Sequence, residues 1–392
     1  MIYVHIPFCR SFCTYCDFYS EVALRCPKAE DALKQEALFE RYAGALAAEI
    51  KERENEIQGV RTSDSVNTLY LGGGTPSVLP LGVLRRLSDA LNEIGLSGGY
   101  TEFTIEVNPE DIVEKGADYV ERLLQMGVNR VSMGVQSFDD SILKWMNRRH
   151  DAATAVRAYQ ILEDTGVKNI SIDLIFGLPQ LSDTLWHETL DRALSISSRG
   201  GCPQHISSYQ LSVEPGSMLA KLVDRGKWTE ASEESCQRQY AVLCETLASA
   251  GYHHYEISNF AQPGYEAVHN SAYWRHVPYV GLGPGAHSFV GGTFRQWNED
   301  NLNAYLNAAE EQDFSTVSER EILNMEQLIM EKVMLSLRTS CGMQEDELRK
   351  YCDNSALNKA LGRGDLLRQP DGSIRIPESR FFVSDSIISS II

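Results

Sequence analysis

Residues 1–18 read MIYVHIPFCRSFCTYCDF, and the fold turns on how that stretch is put together. Ile2 to Ile6 is an apolar run of strand length, and the loop that follows, Cys9-x3-Cys13-x2-Cys16, places three thiols within eight residues. Soft thiolates at such spacing select zinc or an iron-sulfur cluster. A structural zinc ion needs a fourth ligand to close its tetrahedron, and none stands near at a matching spacing. His5, inside the apolar run, reads as a pocket-lining or core-satisfied histidine. Three ligands on a four-iron cluster would leave one iron open to a chelating small molecule. The other six cysteines, Cys26, Cys202, Cys236, Cys244, Cys341 and Cys352, are scattered. An odd total of nine in a long chain without an export signal argues against a disulfide scaffold.

Working outward, a helical stretch from about Asp31 to Ile57 carries Leu38, Tyr42, Leu46 and Ile50 on one face. Strand-like runs then recur at Asn67–Leu71, Phe103–Val107, Arg130–Met133, Ile170–Ile175 and His205–Gln210, with helical segments near 80–94, 116–127, 139–164 and 183–198. Six strands alternating with helices predict parallel βα units, and right-handed crossovers curl six of them into a partial (β/α) barrel. The polar and glycine-rich signals fall at the C-terminal strand ends: the cysteine loop, Gly72-Gly73-Gly74-Thr75-Pro76, Glu106, Gln136, Asp173, and Ser212 with Glu214. Parallel βα architectures place their sites at that end, so one shared pocket is expected there.

Composition narrows the function. The 392 residues suit two or three domains at roughly 150 residues each. The formal charge of -18 gives no general attraction for phosphate backbones, so no nucleic-acid partner is expected. No run approaches a membrane span and the N-terminus has no secretory pattern, so a cytoplasmic protein without stable membrane insertion is expected.

Past residue 215 the rhythm changes. A helix from about Glu230 to Ala250, a strand-like Tyr252–Ile257 and a glycine-rich passage Tyr279–Gly292 form an α+β extension over 216–317. From Ser318 the chain reads as helical to about Leu337, and the tail holds short helices with a hairpin, Leu366–Gln369 and Ser373–Ile376, about the turn Pro370-Asp371-Gly372. Residues 318–392 are therefore expected to form a small winged-helix-like domain.

The run from Tyr3 through the three cysteines to Phe18 resembles the signature of radical S-adenosylmethionine (radical SAM) proteins, in the branch of oxygen-independent coproporphyrinogen III oxidases. The likeness continues through Gly72–Ser77, Ile105–Pro109, VSMGVQSF at 131–138 and IDLIFGLP at 172–179. Within that branch, Tyr209–Pro215, Tyr255–Ala261 and HNSAYW at 269–274 resemble HemW-type heme chaperones. The resemblance implies an α/β fold, a partial (β/α)6 radical SAM barrel. It implies that Cys9, Cys13 and Cys16 ligate a [4Fe-4S] cluster and that S-adenosyl-L-methionine is bound by Tyr3, Gly74, Thr75, Glu106, Gln136, Arg148, Asp173, Ser212 and His287. Gly74 and Thr75 are expected to hold the methionyl ammonium and carboxylate. A reductant protein such as a flavodoxin or ferredoxin is implied as electron donor, and a homodimer is left open.

Two departures weigh against porphyrinogen oxidation. Phe18 stands where the oxidases keep a further cysteine, and the chain begins two residues before Tyr3, where they carry a longer leading segment. No basic cluster is assignable to the pocket. The heme chaperones share both departures, which implies heme and apo-hemoprotein acceptors as partners. His269 could supply an axial imidazole, with Tyr273 and Trp274 offering aromatic surface to the macrocycle. His253, His254 and Cys202 are rival ligands, and His253 and His254, adjacent on a strand, must face opposite sides. Oxidation of coproporphyrinogen III is the alternative function, and radical methylation of a planar aromatic a third.

Overall fold

A computed structural model describes residues 1–23, 29–62, 66–96 and 98–392, and Cys26 lies outside them. The main sheet takes six parallel strands from the barrel region: β1 (Ile2–Ile6), β2 (Thr68–Gly73), β3 (Glu102–Val107), β4 (Arg130–Gln136), β5 (Ile170–Phe176) and β6 (His205–Gln210). Three more come from later in the chain: β7 (His253–Glu256), β8 (Asn259–Ala261) and β9 (Val280–Leu282). The order is β9-β1-β2-β3-β4-β5-β6-β8-β7. β9 runs parallel to β1, whereas β8 and β7 are antiparallel. β8 and β9 were not anticipated, because three residues are too few for an alternation to show. At β9 the glycine is needed for closeness: a Cβ on Gly281 would overlap the His287 carbonyl.

Within the six parallel strands, residues alternate sharply. Ile2, Val4, Ile6, Leu69, Leu71, Phe103, Ile105, Val131, Met133, Ile170, Ile172 and Ile206 are buried in the hydrophobic core. Their neighbours, including Tyr70, Glu106, Ser132, Asp173 and Ser207, line a cavity inside the curl. A period of two thus gives an apolar outer face under the helices and a polar inner one.

Helix boundaries differ from expectation in informative places. The helix expected over 116–127 starts at Pro109 and is interrupted at Gly116, whose φ of 70° and ψ of -170° are not helical. The helix expected over 139–164 is two, Asp140–Trp145 and Ala152–Thr165, each N-capped by an aspartate, Asp139 and Asp151. The intervening turn, with Asn147 at φ 59°, carries Arg148 to the cavity. From Ser318 the chain is first a strand, β12 (Ser318–Ile322), in an antiparallel sheet with β10 (His287–Val290) and β11 (Phe294–Asn298). The helix begins only at Met325, behind a capping box of Asn324 and Gln327. In the tail, β13 (Met343–Gln344), β14 (Leu367–Arg368) and β15 (Ser373–Arg375) form a small sheet with the expected hairpin at its edge.

One buried ionic node joins the first helix, α1 (Ala29–Glu52), to β9. The Glu49 carboxylate, fully buried, accepts from Gly283 N, Asn298 Nδ2 and Tyr305 Oη at 2.7–2.8 Å and from Arg53 Nη1 at 3.1 Å. Arg53 also donates to Gly281 O and Ser288 Oγ. Removing one partner of a buried pair leaves the other charge without compensation. Glu49→Ala should therefore cost about 3–5 kcal/mol in denaturant unfolding, and retention of wild-type stability would refute this role for the node.

Candidate functional site

The cavity opens at the C-terminal ends of the parallel strands and has a volume of about 450 Å³. Its mouth is the cysteine loop, closed at its base by a parallel pairing of Phe8–Cys9 with Glu21–Val22. Four hydrogen bonds pin the loop. Thr14 donates through N to Met146 O (3.1 Å) and through Oγ1 to Trp145 O (2.8 Å), Asn147 Nδ2 reaches Phe12 O (2.6 Å), and Leu219 N reaches Thr14 O (2.9 Å). The broken helix around Met146 thus fixes the thiol loop and delivers Arg148 beside it.

All three thiols line the cavity. Cys9 Sγ lies 3.4 Å from Thr75 Oγ1, and Arg148 Nη1 donates to Cys13 Sγ at 3.5 Å. Burial raises the Cys9 thiol and pushes Cys16 up to about 12, with Cys13 adding to the latter. Among the described residues no three His, Cys, Asp or Glu side chains are set to hold a single metal ion. Three thiols distributed along one loop, with a cation beside them, fit the corners of a larger anionic sulfur-ligated cluster.

The expected cofactor residues separate into groups. Glu106, Gln136, Arg148, Asp173 and Ser212 all line the cavity with Gly74 and Thr75. Burial raises the Glu106 carboxyl to about 7, opposed by hydrogen bonds from Tyr70 Oη (2.7 Å) and Gly73 N (3.2 Å). Burial also raises Asp173, to which Ser132 Oγ donates at 3.2 Å. Arg148 Nη2 is held by Asn108 Oδ1 and Gly134 O, both at 2.7 Å. Gln136 occupies the left-handed region at φ 67°, a conformation costly for a side-chain-bearing residue and frequent at functional sites. Ser212 Oγ donates to Glu214 Oε1 at 2.7 Å.

The remaining expected residues have the following surroundings. The amides of Gly74 and Thr75 are spent on Ile6 O and Phe8 O, which ties the turn to the N-terminal segment. Tyr3 stands beside the lining residue Tyr70, ring centroids 6.0 Å apart, with its hydroxyl 3.1 Å from His5 Nδ1. His287 does not reach the cavity: it is exposed on β10, stacked on Trp297. His269 is fully buried, with Nδ1 2.7 Å from Thr68 Oγ1 and Nε2 2.9 Å from Tyr273 Oη. Burial lowers its pKa to about 3. Both ring nitrogens are committed, so it presents no open coordination position. Tyr273 packs edge-on against Tyr279, and Trp274 is partly buried. As expected of neighbours on a strand, His253 is exposed while His254 is stacked on Phe260. Cys202 accepts from Gln262 Nε2.

Sequence reading missed Tyr70, Asn108, Ser132, Tyr209 and Asn270 as cavity residues, and it missed the arginines Arg10 and Arg149 at the rim. Alternation along β2 and β4 could have found Tyr70 and Ser132. Asn270 arrives from a helix far along the chain, and no local signal announces it.

A model of the radical SAM superfamily matches residues 3–193. The heme chaperone HemW of Bacillus subtilis is 34% identical over 346 residues, 88% of this chain and 84% of that protein. Radical S-adenosyl methionine domain-containing protein 1, mitochondrial, of Danio rerio is 28% identical across 100% of this chain and 86% of its own length. Among solved structures, coproporphyrinogen III oxidase (HemN) from Escherichia coli matches with a TM-score of 0.76 at 21% identity, covering 99% of this chain and 89% of that one. That likeness shows the radical SAM fold, a central parallel sheet flanked by helices.

The raised Glu106 pKa has a stability consequence with a definite sign. Between its ordinary value of 4.5 and about 7 the folded form binds the extra proton, so this group's contribution to stability falls as pH rises through that window. Glu106→Gln lacks the titration, and relative to wild type it should gain up to about 3 kcal/mol between pH 4.5 and pH ~8 in unfolding of the unliganded protein. A pH-independent difference would show that Glu106 ionises normally.

Proposed function

The chain belongs to the heme chaperone HemW family of radical SAM proteins, and on that premise we propose that it binds heme and passes it to apo-hemoproteins. The observation that carries this reading is 34% identity sustained over 84% of the Bacillus subtilis heme chaperone. No helix among the described residues is long and apolar enough to cross a membrane.

Cys9, Cys13 and Cys16 would hold a [4Fe-4S] cluster, with Arg148 offsetting its negative charge beside Cys13. Glu106 and Asp173, buried below the thiols, would face the sulfonium of S-adenosyl-L-methionine, whose positive charge favours their ionised forms. Ser132 orients Asp173, Tyr70 orients Glu106, and the amide of Gln136 stands at the wall as a neutral donor and acceptor. Ser212 and Glu214 close the side above β6. When both are bound, the cluster would supply reducing chemistry at the cofactor's sulfonium; the chain's part is to hold, orient and exclude water.

The cavity's own charges speak against decarboxylation of coproporphyrinogen III. A substrate with four propionates would meet Glu106, Glu110, Asp173 and Glu214 on the lining. Of the arginines there, Arg148 is engaged by Asn108, Gly134 and Cys13, and Arg10 by Glu114 and Asp111, which leaves Arg149 as one cation for four carboxylates. A burial of several carboxylates beside carboxylates is opposed by both desolvation and repulsion.

Anaerobically reconstituted protein given reductant and S-adenosyl-L-methionine should take up heme stoichiometrically, and should leave coproporphyrinogen III unchanged. Formation of protoporphyrinogen would sink the chaperone reading. Cys13→Ala should lower the iron and sulfide content of the reconstituted protein sharply; unchanged content would remove that thiol from the ligand set.

A further inference from the structure

We propose that heme docks on the rim of the barrel mouth, its macrocycle against Phe12 and Phe18 and a propionate on Arg149; the proposal rests on the heme-binding reading above and assigns its place. Phe12 is 54% exposed and Phe18 65% exposed, both on the loop that carries the three thiols. Tyr209 (42%) borders the same opening, and Met218 (55%) is brought beside the loop by the Leu219 N to Thr14 O bond. Single exposed apolar residues need no explanation, but two exposed rings on one loop, with Tyr209 on the same lining and Met218 beside the loop, form the kind of patch that marks a binding surface.

The rim is held in place. Phe12's own carbonyl accepts from Asn147 Nδ2, and Thr14 is fixed through three hydrogen bonds, so the loop is anchored with its aromatic rings outward. Rigid aromatic faces bind planar ligands at small entropic cost.

Charge points to the same ligand. In a chain of net charge -18, Arg149 is an exposed cation at the opening whose nearest recorded carboxylate, Glu110, stands 4.0 Å away and is already bonded to His150. Heme is apolar across its plane and carries its two carboxylates along one edge, which matches an aromatic rim with a cation to one side. The cavity below, about 450 Å³, is claimed by the thiol-bound group and its cofactor, which leaves the macrocycle over the mouth. A second exposed apolar pair, Ile322 (83%) and Met325 (69%), is flanked by exposed Glu319, Glu321 and Glu326 and would repel a dianion.

The test is a heme titration of the full chain followed by its Soret absorbance. The Phe12→Ala/Phe18→Ala double variant should bind about tenfold or more weakly. Arg149→Gln should bind about threefold more weakly, with reduced sensitivity to salt. Far-UV circular dichroism confirms that each variant is folded, and Phe18→Leu, which keeps an apolar side chain without the ring, should fall between. Wild-type affinity in the double variant, or a loss in Ile322→Ser/Met325→Ser instead, would overturn the rim site while leaving heme binding intact. Failure of the wild-type chain to take up heme at all would overturn the chaperone reading, and this site with it.

Discussion

A barrel whose strands bury apolar residues outward and polar residues inward must satisfy its own interior, and every feature of the site follows from how that is done. The layer beneath the cavity holds Arg130, 1% exposed, two residues before Ser132 on the same strand. Its Nε has no partner among the described residues. The guanidinium acts at a distance, lowering Glu106 and Asp173 against the burial that raises them. The fixed positive charge of Arg130 thus opposes the burial of both carboxylates, and Arg148 adds to it at Asp173.

Around Arg130 two hydrogen-bonded chains fill the interior. Ser171 Oγ, His205 and Tyr255 Oη form one chain, with contacts of 2.7 and 2.8 Å. Thr68, His269 and Tyr273 form a second with almost the same spacing, 2.7 and 2.9 Å. Burial lowers both imidazoles, and Arg130 adds to this, so both are neutral bridges between a strand hydroxyl and a tyrosine. The helix Val268–Trp274 is seated by the Glu102 carboxylate, which accepts from Val268 N and His269 N. The sequence HNSAYW is accordingly a plug for the lower end of the barrel: His269 seals it and Asn270 reaches up to the cavity lining.

The six parallel strands were legible because each is five to seven residues long and bounded by glycine, proline or polar turns. The thiol loop and the acidic floor were legible because their chemistry is rare and sits at strand ends. What the sequence leaves open shares a cause. At Gly74 and Thr75 the residue types leave the amides free on paper, whereas Ile6 O and Phe8 O take them in the fold. At His269 and His287 an imidazole was taken as available, and only tertiary contacts decide whether its nitrogens are spent or turned away. Arg148 and Arg149 sit beside one another without periodic meaning, and only the break between Trp145 and Ala152 brings them to the cavity.

Phe18 gains a second meaning from its surroundings. As a residue type it is merely not a cysteine, which bears on oxidation chemistry alone. In the fold it is a ring held out from the loop whose other side carries Cys9, Cys13 and Cys16. Phe12 lies between the first two of those cysteines, and its carbonyl is pinned to Asn147. The backbone that positions the thiols therefore also positions the aromatic rim, and ordering one orders the other. Residues 9–18 thus carry both the three thiols and the two exposed rings.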